Sequence, residues 1–148
     1  MLWNTYDALI LDLDGVVYIG EHAVPGAISS LNAVAHSVRI TAATNNASRT
    51  SKVVSAHLKR LGLNLDPDEV VTSAQAGAAL LAERVGSDAR ILAIGGEGVT
   101  TALQEQGLHP IRSTADHAAN DLLASEVEGV LQGHGQDTSW WDLSTASW

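Results

Sequence analysis

Two carboxylates, Asp12 and Asp14, stand one residue apart at the end of the apolar run Ala8-Leu9-Ile10-Leu11, with Gly15 behind them. Residues two apart in a strand point to one face, so the pair could converge on a single centre such as a divalent cation. Strand ends also carry Asp and Gly as turn formers, and the DxDG pattern taken alone fits either role. A second polar cluster, Thr44-Asn45-Asn46, closes the run Ile40-Thr41-Ala42-Ala43. Its hydroxyl, amide and backbone N–H groups could hold a phosphoryl group by hydrogen bonds without adding a competing negative charge. A plain turn at Asn45-Asn46, with Ser48 capping the next helix, is the structural alternative; it explains two such clusters on successive strands less well.

Placing both clusters in one crevice requires two adjacent strands that end on the same side. Strand and helix patterns alternate along the chain. The run Ala8–Asp12 reads as a strand buried on both faces. Pro25 opens a helix with Ile28, Leu31 and Val34 at helical spacing, and Arg39–Thr44 is the next strand. Val54, Leu58 and Leu61 mark a second helix that Gly62 ends, and Val70–Thr72 a third strand. Ser73 is placed to cap a helix running to Val85 with Gly86 as its stop. Arg90–Ile94 then reads as a strand, and Gly98–Gln106 as a helix ended by Gly107. Thr114–Ser125 is polar and supports no assignment. Val127–Gln132 reads as a strand, and a helix with Trp140, Trp141 and Leu143 starts at Thr138 and runs to Trp148. This rhythm predicts an α/β fold with a largely parallel sheet and right-handed crossovers. In such sheets ligands bind beyond the carboxyl ends of the strands, where Asp12 and Asp14 lie.

Composition narrows the function. The chain has 148 residues, 45% of them apolar, enough for a proper core. Its 17 acidic and 8 basic residues give a formal charge of −9, which disfavours nucleic acid as a partner. With no cysteine, disulfides, thiolate ligands and a thiol nucleophile are excluded, and any nucleophile must be an oxygen. The amino terminus lacks signal-peptide features and no apolar run is long enough to span a membrane, so the reading is a cytoplasmic protein with no membrane partner.

The order and spacing of DLDGVVY, then VPGA opening a helix, then TNNASRT after the next strand resemble the haloacid dehalogenase superfamily, in its NagD-like, p-nitrophenyl-phosphatase-like branch. TSAQAGAALL and ILAIGGEGV are similar to that branch as well. The resemblance implies a HAD-type Rossmann-like parallel sheet, its core incomplete within residues 1–72, with the beginning of an inserted α/β cap over residues 73–148. It implies a Mg²⁺-dependent phosphatase acting on a small phosphorylated metabolite through an aspartyl-phosphate. Asp12 matches the nucleophile and a metal ligand. Asp14 matches the acid/base and contributes to the metal site. Gly15, Thr44, Asn45 and Asn46 match the substrate-binding side. Val16–Val24 looks like the family's flap, an irregular turn and hairpin with Gly20-Glu21 at its tip. Ile94-Gly95-Gly96-Glu97-Gly98 lacks the spacing of a dinucleotide loop and reads as a tight strand-to-helix connection in the cap.

The family's lysine motif and downstream acidic motif are both absent from this sequence. Lys52 and Lys59 read as solvent-exposed helix residues, Arg49 as a surface or cap-contact residue, and Asp137 and Asp142 as helix-start and surface residues. Two expectations follow. The chain represents the first half of such an enzyme, with activity lowered by orders of magnitude for want of electrostatic stabilisation. The alternative is a catalytically inactive fragment that binds Mg²⁺ or phosphate, or self-associates. In that half the first strand becomes an unpaired sheet edge, which invites association, and Trp140, Trp141 and Trp148 read as core residues of an unfinished cap. A DxD-type nucleotide-sugar transferase leaves the Thr-Asn-Asn cluster unexplained, and a receiver domain needs an aspartate on a later strand.

Overall fold

The structure is a computed structural model that describes residues 5–113 and 126–146. It divides into two compact units. The first comprises the chain up to Asn45 together with Ser51–Thr72; the second comprises Asn46–Thr50 and the chain from Ser73 onward.

In the first unit a three-stranded parallel sheet has the order β1 (Ala8–Leu11), β4 (Arg39–Thr44), β5 (Val70–Thr72). Between β1 and β4 come a hairpin, β2 (Tyr18–Ile19) with β3 (His22–Ala23), and helix α1 (Ala27–Val34). Helix α2 (Ser51–Leu61) precedes β5. Val34, Val54, Leu58, Ile40, Ala42 and Val70 are buried together with Leu13, Val17 and Tyr18, so residues of the turn and hairpin are themselves part of the core. The end of α2 follows from Gly62, whose φ of 97° admits the left-handed turn. There Gly62 N–H donates to the Lys59 carbonyl and Leu63 N–H to the Leu58 carbonyl, the paired closure of a Schellman motif. Gly107 ends α4 (Glu97–Glu105) in the same way, through Gly107 N–H to Gln104 and Leu108 N–H to Leu103.

The second unit holds a second three-stranded parallel sheet, ordered β7 (His109–Ile111), β6 (Arg90–Ile94), β8 (Gly129–Gln132), with helices α3 (Ser73–Ala82), α4 and α5 (Trp140–Thr145). Its core gathers Ala74, Ala78, Ile91, Ala93, Val99, Ala102 and Leu103. No helix among the described residues is long and apolar enough to cross a membrane.

Several expectations are corrected. The first strand stops at Leu11, one residue short of Asp12, and is not buried on both faces: Ile10 is 76% exposed while Leu9 and Leu11 are half-buried. An apolar run is buried on both faces only where packed elements cover both faces of its sheet, as at β6, where Ile91–Ile94 are all buried. Ser73 is the first helical residue of α3 rather than its cap, because β5 passes directly into the helix; α3 ends at Ala82. Gly86 has no left-handed backbone, and the positive φ in that loop belongs to Asp88, at 64°. Strand β7 has no counterpart among the expected elements; Pro110 lies in its middle, and as the outer strand of its sheet among the described residues it tolerates a missing N–H. Trp140 is 83% exposed and is no core residue here. Thr114–Ser125 and Trp148 lie outside the described residues.

Candidate active site

The carboxyl end of β1 is organised around Leu13, which is fully buried while Asp12 and Asp14 on either side are exposed. One apolar anchor thus sets two carboxylates in solvent. The Leu13 N–H donates to Asp12 Oδ1 at 2.8 Å. The Leu13 carbonyl accepts from the N–H groups of Val16, Val17 and Tyr18 at 3.2, 2.9 and 3.2 Å, which folds the chain back at once. Gly15 makes that reversal possible with a φ of 81°, and its N–H reaches the Tyr18 carbonyl at 2.8 Å. Tyr18 also bridges Asp14. The expected hairpin over Val16–Val24 is present, with Gly20-Glu21 as its two-residue loop.

The neighbouring strand ends where the sequence placed it. β1 and β4 run parallel, with Leu11, the last residue of β1, opposite Ala42, two residues before Thr44 ends β4. Thr44 is buried and pairs in register with Thr72; Asn45 is exposed. The carboxylate turn and the Thr44-Asn45 segment therefore both follow the carboxyl ends of two neighbouring parallel strands.

Asn46 goes with the second unit. Its Oδ1 accepts the N–H of Ser48 at 2.9 Å and of Arg49 at 3.3 Å, an Asx turn of the kind weighed as the structural alternative. Ser48 does not open α2 as a cap. Its carbonyl instead accepts the N–H of Gly98 at 3.1 Å and so satisfies a donor in the first turn of α4. The Gly95-Gly96 connection between β6 and α4 is the tight strand-to-helix passage expected of it. Residues Ala47–Arg49 sit on Gly96 and Gly98 so closely that an added Cβ at either would lie 2.5 Å from a backbone oxygen.

Two hard oxygen donors, Asp12 and Asp14, suit a divalent cation in kind, but no cluster of three or more His, Cys, Asp or Glu side chains exists among the described residues. Lys59 points away to an ion pair with Asp66 at 2.9 Å, and Lys52 is exposed. Neither lysine is built into the turn.

The family model for haloacid dehalogenase-like hydrolases matches residues 9–109. The chain belongs to this family. Over 142 residues it is 38% identical to a D-glycerol 3-phosphate phosphatase of Mycobacterium tuberculosis, covering 96% of this chain and 37% of that protein. It is 36% identical over 106 residues to an acid sugar phosphatase of Staphylococcus haemolyticus, covering 71% of this chain and 40% of the relative. The crystal structure of the M. tuberculosis glycerol phosphate phosphatase in complex with magnesium superposes with a TM-score of 0.83 at 38% identity, over 97% of this chain and 41% of that one. NagD from Escherichia coli shares the fold, with a TM-score of 0.75 at 21% identity over 95% of this chain and 51% of its own. The chain therefore spans about two fifths of the length of the curated relatives it matches.

Two features of this haloacid dehalogenase-like chain were missed by sequence reasoning. Leu13 is the anchor of the carboxylate turn, and its apolar character between two acids was the available signal. His57, 2% exposed in α2, contacts the hairpin from a position 37 residues beyond Gly20, and a lone histidine in a helical pattern gives no such signal.

Proposed function

We propose that this chain carries the nucleophile half of a Mg²⁺-dependent phosphatase that hydrolyses a small phosphomonoester, of the glycerol phosphate or sugar phosphate class, in the cytoplasm. The observation that carries the reading is the pair of exposed carboxylates flanking buried Leu13 at the carboxyl end of a parallel strand, in a chain 38% identical to a D-glycerol 3-phosphate phosphatase.

In this reading an Asp12 oxygen attacks phosphorus, the bond from phosphorus to the ester oxygen breaks, and Asp14 gives its proton to the departing alcohol. Water then attacks the phosphorus of the aspartyl-phosphate, Asp14 takes the water's proton, and Asp12 is restored as inorganic phosphate leaves. Thr44, Asn45 and Asn46 supply neutral donors to the phosphoryl oxygens, and Gly15 keeps the backbone beside them clear of a side chain. Two like charges 4 Å apart repel by roughly 1 kcal/mol in water and about 4 kcal/mol at an effective dielectric of 20, so the carboxylate and the phosphate need a counter-charge. Mg²⁺ held by Asp12 and Asp14 would supply it, lowering this repulsion and stabilising charge on the transferred group. The donors are right in kind and few in number, which makes weak Mg²⁺ binding the expectation.

The absent lysine motif and the outer position of β1 favour a second reading, an inactive fragment that binds Mg²⁺ or phosphate or self-associates along that edge. Turnover of p-nitrophenyl phosphate with Mg²⁺, measured for the chain and for Asp12→Asn, separates the two. Turnover lost in Asp12→Asn supports the phosphatase, no turnover from a folded chain supports the fragment, and turnover untouched by the substitution removes Asp12 as nucleophile.

A further inference from the structure

His57 is a buried imidazole of α2, on a face that also buries Val54, Ser55 and Leu58. A buried polar ring must find partners for its nitrogens. Nε2 lies 3.1 Å from the carbonyl oxygen of Gly20, and Nδ1 lies 3.1 Å from Arg60 Nη2 and 3.5 Å from Glu21 Oε2. A carbonyl only accepts, so the contact with Gly20 requires a proton on Nε2. The ring also meets Tyr18 edge-on, with centroids 4.7 Å apart at 85°. One side chain of α2 thus touches the β2–β3 hairpin at Tyr18, Gly20 and Glu21.

The hairpin needs such support. Each of its strands is two residues long, and an isolated two-stranded hairpin is marginal in water even when longer. It is also joined to the carboxylate turn: Tyr18 donates its N–H to Leu13, accepts from Gly15 and bridges Asp14. A hairpin that drifted would draw the Leu13-Asp14-Gly15 turn with it.

We propose that His57 is a positioning residue, which ties the hairpin tip to α2 through Gly20 and, through Tyr18, fixes the turn that carries Asp14. Its consequence for catalysis rests on the phosphatase reading above; the tether itself does not.

The test uses the whole chain and two variants. His57→Phe keeps ring bulk and the edge contact but has no donor. His57→Gln keeps an N–H donor near the position of Nε2. Amide hydrogen exchange at Gly15, Tyr18 and Val24 should accelerate at least ten-fold in His57→Phe and return most of the way in His57→Gln, with the amides joining β4 to β1 and β5 unchanged in both. Nitrogen NMR of the wild-type ring should show the proton on Nε2. Unchanged hairpin exchange in His57→Phe, equal acceleration across β4, or a ring with a bare Nε2 would each overturn the tether. If the chain turns over p-nitrophenyl phosphate, His57→Phe should lower kcat several-fold with KM little altered. Absence of turnover in the wild type counts against the phosphatase reading alone, because the exchange and tautomer results still decide the role of His57.

Discussion

The carbonyl oxygen of Ser48 accepts the N–H of Gly98 at 3.1 Å, so the segment after β4 caps the helix α4 nearly fifty residues away in sequence. Two effects of opposite sign meet at Gly98. Alanine would gain about 1 kcal/mol of helix propensity. Its Cβ would also lie 2.5 Å from the Ala47 carbonyl oxygen and 2.7 Å from that of Arg49, and backbone atoms cannot rotate aside. Overpacking of this kind costs about 1–3 kcal/mol, so Gly98→Ala should lower the urea midpoint despite the better helix former. Gly86→Ala is the control: nothing lies within 4 Å of its added Cβ and its φ is outside the left-handed range, so stability should rise by about 0.4–1 kcal/mol. Equal midpoints for the two variants would refute the close approach.

This contact also marks how far the sequence could be read. The rhythm of strands and helices, the glycine stops at Gly62 and Gly107, and the two polar clusters at strand ends follow from local pattern, and local pattern is legible. Neighbours are not. Ala8–Leu11 and Ile91–Ile94 are both apolar runs, yet Ile10 is exposed while Ile91–Ile94 are all buried; nothing inside either run records that difference. The same limit hid β7, whose Pro110 is excluded from central strands and allowed at an edge. Ser48 reads as a cap for the nearest helix, whereas its carbonyl serves α4. The residue types were informative and their partners were not.

Ser113 and Ser139 both hydrogen-bond to the Asp142 carboxylate, and those bonds, with Arg112 nearby, hold it below the usual carboxylate range despite partial burial. Asp142 also completes a capping box, accepting from Ser139 N–H at 2.7 Å while its own N–H donates to Ser139 Oγ at 3.2 Å. A depressed folded pKa means that the stabilisation is fully present above the unfolded value of about 3.9 and is lost as pH falls through the folded value. Stability should therefore drop more steeply below about pH 4 in the wild type than in Asp142→Asn. Parallel acid-unfolding curves for the two proteins would show that Asp142 makes no such contribution.

Among the described residues β1 is the outer strand of its sheet, and it presents Ile10, 76% exposed. Apolar edges of this kind template pairing with further chains, and an outward lysine is the usual remedy. Sedimentation velocity should show concentration-dependent association of the chain, shifted toward monomer by Ile10→Lys. A wild-type monomer across the accessible concentration range would rule out association through β1.

The turn that carries the candidate chemistry separates its structural residue from its chemical ones. Leu13 is fully buried among Val17, Val54 and Leu58, and truncating a buried leucine to alanine costs about 2–5 kcal/mol through lost contacts and the cavity left behind. Asp12 and Asp14 are exposed, and an amide in place of either carboxylate keeps its shape and its ability to accept a hydrogen bond. Urea unfolding should consequently show a large loss for Leu13→Ala and little change for Asp12→Asn or Asp14→Asn. Mg²⁺ titration, followed by calorimetry, should show the converse order: binding that the folded wild type displays is lost in either Asn variant. A destabilisation by Asp12→Asn as large as that of Leu13→Ala would mean that the carboxylate is there to hold the turn together rather than to meet a ligand.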